Sequence, residues 1–183
     1  MKRVNTKDYT KNELLDLIQL EAENKFRDGT FFCSESVVAV LNQFMDYPYS
    51  EDVVRLASSF PIGMGKAQCL CGAVSGGQMA LGMAYGREEG QPMNPKMFPV
   101  AKDLHDYIVK SYGATCCRII TKEWSGDNFA SEGRKNHCIH ITGDVARWVA
   151  EKLIDDGRIK VCDDQNSQTS NEPNKSDKWV LLD

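Results

Sequence analysis

The sequence predicts an all-α fold, a compact bundle of about six helices, and three observations carry that expectation. Apolar residues recur at i, i+3, i+4 and i+7 through several segments. Polar capping residues or acidic first turns open those segments, and glycine or proline separates them. With 183 residues and 42% hydrophobic content, the chain can bury one core but is short for two. Residues 1–162 are therefore expected to form a single cysteine-rich helical domain, and 163–183 a polar tail.

The first helix is expected over Lys11 to Phe26, where Leu14, Leu17, Ile18 and Ala22 form the apolar stripe. Thr10 with Glu13 three residues on has the form of a capping box, and Gly29 stands where a left-handed C-terminal residue belongs. A second helix fits Cys33 to Phe44 through Val37, Val38, Val40 and Leu41, with Glu35 in its first turn. The β-branched residues here and at Val53 and Val54 would suit strands, but the helical spacing and the acidic first turns decide against them. Tyr47-Pro48-Tyr49-Ser50 breaks the chain, and Glu51-Asp52 opens a short helix to about Ser58. From Gly72 to Tyr85 a small-residue helix sets Ala73, Gly76, Gly77, Ala80 and Ala84 along one face. Each interior glycine lowers helix propensity by about 1 kcal/mol, so this face is expected to pack tightly on another helix or a cofactor. A further helix fits Lys96 to Tyr112, stopped by Gly113, and a short turn or helix follows at Thr115 to Ile120. Trp124 to Gly133 reads as a loop, and the last helix as His137 to Ile154. From Asp163 to Lys178 the chain is wholly polar, a composition that predicts disorder, with Trp179-Val180-Leu181-Leu182 as an apolar end.

A net charge of -4 and no basic run of five argue against a nucleic-acid partner or an acidic membrane surface. No apolar run is long enough to span a bilayer, and no signal-type apolar segment follows the N-terminus. The expectation is a soluble, cytoplasmic protein with neither a nucleic-acid nor a membrane partner. In that reducing compartment, seven cysteines, an odd number, do not read as a disulfide framework.

Six of the cysteines stand near expected helix starts: Cys33, Cys69, Cys71, Cys116, Cys117 and Cys138. Any one of them could be a small buried apolar residue, but the recurrence points to chemistry. Soft thiolates select zinc, copper(I) or an iron–sulfur cluster, whereas two neighbouring thiols can cycle with a disulfide. The spacing is neither that of a zinc ribbon nor that of a bacterial ferredoxin. Cys69-x-Cys71 and vicinal Cys116-Cys117 are each too brief to specify a site alone. Free N–H groups at a helix start stabilise thiolate, which favours Cys33, Cys71, Cys117 and Cys138 converging on one anionic group, with Arg118 and Arg134 offsetting its charge. Gly72, Ala73 and Gly76 would let such a group approach backbone. Three readings follow. The first is an iron–sulfur protein, the second a thiol–disulfide oxidoreductase using Cys69/Cys71 or Cys116/Cys117, and the third a zinc-stabilised interaction module. His105, His137 and His140 read as surface or capping residues, and Met64, Met79 and Met83 as core filler.

Phe32-Cys33-Ser34-Glu35-Ser36-Val37, Cys71-Gly72-Ala73-Val74-Ser75-Gly76, Gly113-Ala114-Thr115-Cys116-Cys117-Arg118 and Arg134-x3-Cys138 together resemble the C-GCAxxG-C-C family, from about Cys33 to Leu153. The Cys-Gly-Ala-x-x-Gly box is its most distinctive part. That resemblance implies a small helical, redox-active protein that binds an iron–sulfur cluster, similar to a module found in split-Soret cytochrome c. It maps the four family cysteines onto Cys33, Cys71, Cys117 and Cys138, with Cys69 for Cys71 or Cys116 for Cys117 as the alternatives. It implies electron transfer or redox support for a redox partner protein. The sequence departs from the family pattern by adding Cys69, Cys116 and Cys162, by having no Cys-x-x-Cys-His haem motif, and by its polar tail. The small-residue helix would also suit a homodimer, unless its face is used inside the chain.

Overall fold

A computed structural model describes residues 3–124 and 131–162. Six α-helices form the body, and no strand occurs among the described residues: α1 Lys11–Arg27, α2 Cys33–Phe44, α3 Gly72–Tyr85, α4 Met97–Tyr112, α5 Cys117–Ile120 and α6 Glu132–Asp155. Short 3₁₀ turns lie at Thr6–Asp8, Glu51–Ala57 and Lys122–Trp124. The expected tail over 163–183, with its apolar end Trp179 to Leu182, and the 125–130 part of the expected loop lie outside the described residues.

The Thr10/Glu13 capping box forms as its sequence predicts. The Glu13 N–H donates to Thr10 Oγ1, and the Thr10 N–H donates to Glu13 Oε2 at 2.9 Å. From there α1 buries Leu14, Leu15, Ile18 and Ala22, mostly against α6. The two helices run antiparallel, because Lys11 at the start of α1 bonds Asp155 at the end of α6 (2.6 Å), whereas Lys135 near the start of α6 donates to the carbonyl of Arg27 (3.0 Å).

Helix α3 sits in the middle, and its small residues fit it there. Gly76 lies so close to α2 that an added Cβ would stand 2.6 Å from the Ser34 carbonyl oxygen; at Gly77 it would stand 2.7 Å from Val145 of α6 and 2.9 Å from Leu104 of α4. The small-residue face is thus occupied by α2, α4 and α6 within the chain. Leu41, Leu81, Leu104, Ile108, Val145, Val149 and Leu153 complete one apolar core, and Val38, Val54 and Ala57 form a smaller cluster under the 3₁₀ turn.

Three sequence expectations need correction. The helix expected from Glu51 to about Ser58 is a 3₁₀ segment, the conformation that short connectors adopt when too few residues are available for a stable α turn. The last helix starts at Glu132, five residues before the expected His137. Its polar, glycine-containing first turns hid that start, and the missing Cβ of Gly133 lets Trp124 pack on the helix there, its Nε1 2.6 Å from where a Cβ would be. Met64, expected as core filler, is 50% exposed at the tip of a left-handed turn (φ 47°). None of the helices among the described residues is long and apolar enough to cross a membrane.

Candidate functional site

Four thiols from four elements line one cavity of about 310 Å3: Cys33, Cys71, Cys117 and Cys138. Three of them sit at helix starts. Cys33 is the first residue of α2, after Phe32 as N-cap. Glu35 fixes that start, accepting from the Phe32 N–H at 2.8 Å and from the Ser58 hydroxyl at 2.7 Å. Cys71 is the N-cap of α3, and its carbonyl accepts from the Ser75 N–H (2.9 Å) and hydroxyl (3.2 Å). Cys117 is the first residue of α5, after Cys116 as N-cap. The fourth thiol departs from expectation. Because α6 starts at Glu132, Cys138 is its seventh residue, well inside the helix. Free N–H groups belong to the first turn alone, so the helix-end argument does not extend to Cys138.

The loop before Cys71 places a backbone donor on the cavity. After Phe60 the chain turns through Pro61–Met64 with Ile62 at φ 56° and Gly63 at φ 69°, and left-handed backbone continues through Met64, Gly65, Lys66 and Gln68. Left-handed backbone costs a non-glycine residue about 1 kcal/mol or more and persists where its surroundings enforce it. Here it turns the Ile62 N–H onto the sulfur of Cys33. Gly72 completes the cradle, since a Cβ at that position would stand 2.4 Å from Cys33 Sγ. Of the small residues singled out in the sequence, Gly72 and Ala73 line the cavity, while Gly76 serves the contact of α3 with α2.

The electrostatics bind the four thiols into one group. Each of the six pairings among them carries a repulsion between their ionised forms. Burial is the larger effect, and with those repulsions it pushes Cys33, Cys71 and Cys138 up to about 12 from an ordinary 9.0. Burial also raises Cys117, against the opposing charge of Arg134. Arg134 is 5% exposed, and its Nη2 donates toward Cys117 Sγ at 3.9 Å. Backbone N–H groups of Ser34, Ala73 and Val74 also favour the ionised sulfurs of Cys33 and Cys71. Two buried thiols, Cys71 and Cys117, and two half-buried ones, Cys33 and Cys138, beside one buried guanidinium form a weak core, since apolar side chains would fill that volume with no repulsion. Among the described residues, no three His, Cys, Asp or Glu side chains close on a single ion.

The remaining sequence candidates divide cleanly. Cys69 is exposed and Cys116 half-buried, and neither lines the cavity. A hydrogen bond with Cys116 raises the Cys69 pKa, and Cys116 Sγ donates to the Gln68 carbonyl at 3.2 Å. The pairs Cys69/Cys71 and Cys116/Cys117 are thus each split, with one thiol inward and one outward. Arg134 stands at the cavity, whereas Arg118 is exposed and its charge acts on Cys69. Cys162 is exposed and its N–H donates to the Tyr9 carbonyl (2.9 Å). His105 is exposed and bonds Asp106 at 3.0 Å. His137 packs between Trp124 and Tyr112, with ring centroids 4.9 and 6.0 Å away. Sequence reasoning missed the aromatic wall of the cavity, Phe26, Phe31 and Phe32; the Phe31-Phe32 pair directly before Cys33 was its available signal.

Residues 31–152 match the model of a protein family described as "Putative redox-active protein (C_GCAxxG_C_C)". That span contains all four inward thiols and both members of the outward pair. Neither the comparison with curated proteins nor that with solved structures gives a match.

Proposed function

Because the chain belongs to the C_GCAxxG_C_C family of redox-active proteins, we propose that Cys33, Cys71, Cys117 and Cys138 hold an iron–sulfur cluster with which the protein serves a redox partner protein. The observation that carries this reading is the convergence of four thiols from four elements on one cavity of about 310 Å3. A single zinc ion draws its sulfurs to one point at about 2.3 Å; these thiols surround a volume, which favours a larger inorganic group. All donors are sulfur, the ligand type such clusters take.

When bound, the cluster would supply one-electron transfer. The chain's own contribution is to hold, tune and shield. The Ile62 and Ser34 N–H groups act on the sulfur of Cys33, and those of Ala73 and Val74 on Cys71; such bonds to sulfur set cluster potential. Arg134 offsets negative charge at Cys117 and Cys138. Phe26, Phe31 and Ile141 make the wall apolar and keep water from the sulfurs. Phe32 lines the cavity yet is 54% exposed, an apolar edge on which a partner protein would dock. The cytoplasm suits this chain, because a reducing compartment keeps its seven free cysteines reduced.

Anaerobic purification with a visible spectrum and iron, sulfide and zinc analysis tests the proposal. Coloured protein with matched iron and sulfide is the expected result. Colourless protein with stoichiometric zinc would replace the cluster by a structural metal, and colourless metal-free protein with a titratable dithiol would leave thiol–disulfide chemistry in its place.

A further inference from the structure

The thiols that face away from the cavity are held together by a feature of their own. Two segments, Gln68 to Cys71 and Thr115 to Arg118, are held side by side by backbone bonds. The Cys71 N–H donates to the Thr115 carbonyl at 2.8 Å, and the Arg118 N–H donates to the Gln68 carbonyl at 2.9 Å. The pairing is antiparallel, as residue 71 meets 115 and residue 68 meets 118. This clip turns Cys71 and Cys117 inward to the cavity and sets Cys69 against Cys116 on its outer side, where the two free thiols are within hydrogen-bonding reach of each other. The Cys116 sulfur is fixed further by its bond to the Gln68 carbonyl, 3.2 Å away. The Gln68 carbonyl belongs to the peptide that leads into Cys69, so that bond sets the Cys116 sulfur beside its partner residue.

We infer that Cys69 and Cys116 form a dithiol/disulfide couple, a second redox site beside the cavity that exchanges with low-molecular-weight disulfides such as oxidised glutathione. The sulfur of Cys69, the exposed member, attacks one sulfur of the small disulfide. That S–S bond breaks, a mixed disulfide forms, and the first small thiol leaves with the proton Cys69 gave up. The sulfur of Cys116 then attacks the Cys69 sulfur, the mixed disulfide breaks, and the second small thiol leaves with the proton of Cys116. Two electrons pass from the protein pair to the small disulfide, and thiol–disulfide exchange of this kind needs no further reactant. The closed disulfide would lock the two segments that present Cys71 and Cys117. The inference does not rest on the cluster, because it concerns thiols outside the cavity.

The test is to hold the full-length, anaerobically purified protein in glutathione buffers of graded oxidation. Free thiols are then trapped with acid and N-ethylmaleimide, and unreduced digests are mapped by mass spectrometry. The expected result is a linked Cys69–Cys116 peptide that grows as the buffer becomes more oxidising, with bound iron unchanged, and its complete loss in Cys69→Ser and in Cys116→Ser. Links of Cys69 to Cys71 or Cys116 to Cys117, glutathione on Cys69 with no internal link, or a link that forms only as iron is lost would each overturn it. Should the protein carry no iron at all, the same map still reads the pair, so the cluster and the couple fail separately.

Discussion

The helical body and the thiol end of this molecule are built on opposite terms. In the body, α1 lies antiparallel on α6 and α3 threads between α2, α4 and α6, with capping, periodicity and burial all favouring the same structure. At the thiol end, the cavity is framed by left-handed backbone at Ile62 and beyond, a four-residue helix at Cys117, and repelling thiols around one guanidinium. Local rules fail where the chemistry is and hold where it is not. The comparison teaches that the body supplies the stability that keeps the thiol end in a conformation it would not choose alone.

The sharpest way to break this contrast is at the sulfurs. Replacing Cys33, Cys71, Cys117 or Cys138 by serine is expected to reduce bound iron to background, since ligand loss removes the metal site. Circular dichroism should show the helices intact, and Cys162→Ser should keep its iron. Four variants that retain iron would end the division of roles.

The opposite probe is a core truncation. Ile18→Ala or Leu104→Ala, at side chains with 0% exposure, should cost about 2–5 kcal/mol in urea unfolding. Iron per folded molecule should stay the same. A finer probe makes one chemical change at each end. In Gly72→Ala the new Cβ meets Cys33 Sγ at 2.4 Å, and in Gly77→Ala it meets Val145 at 2.7 Å. Overpacking of this kind costs about 1–3 kcal/mol, but the first variant should lose iron severalfold and the second only stability. Equal iron loss in both would show that the two ends are not separable.

The smallest effect is the pH dependence of one side-chain cluster in the body. Asp156 accepts from Lys96 at 2.8 Å and from the Tyr85 hydroxyl at 2.7 Å. The bond from Lys96, followed by that from Tyr85, holds its carboxyl below the ordinary 3.8. Its contribution to stability is therefore present above that value and lost as pH falls through the lowered one. Burial, then the Asp156 bond, pushes Tyr85 from 10.0 up to about 12. That contribution is present below 10.0 and lost as pH rises toward 12. Melting temperatures across pH should show both limbs. Asp156→Asn should reduce the acid limb and Tyr85→Phe its own part of the alkaline one, which Tyr107 and the raised thiols share, with iron content unchanged near neutral pH.

Much of this contrast is legible in the sequence, and the illegible part lies mainly at the thiol end. Thr10 and Glu13 announce α1, the valine spacing marks α2, and Gly113 closes α4, because local propensity and burial agree there. The four inward thiols are legible through the motif around Cys71-Gly72-Ala73. The start of α6 is not, because its first turns are polar and contain Gly133, so no apolar stripe marks them. The pairing of Cys69 with Cys116 is hidden for another reason: it is made by backbone bonds between segments far apart in the chain. The left-handed course through Ile62 contradicts the preference of a β-branched residue, so local sequence argues against it.

The scatter of the four thiols along the chain has a consequence for the order of assembly. Cys33 leaves the ribosome early and Cys138 late, and the cavity between them cannot close until α6 has docked on α1 and α3. Bringing such distant points together is slow compared with forming any single helix. Under the proposed function, iron delivered to a half-made chain would meet isolated thiols, so loading would belong after docking. For the proposed cluster, the finished helical body would be the checkpoint for metal entry.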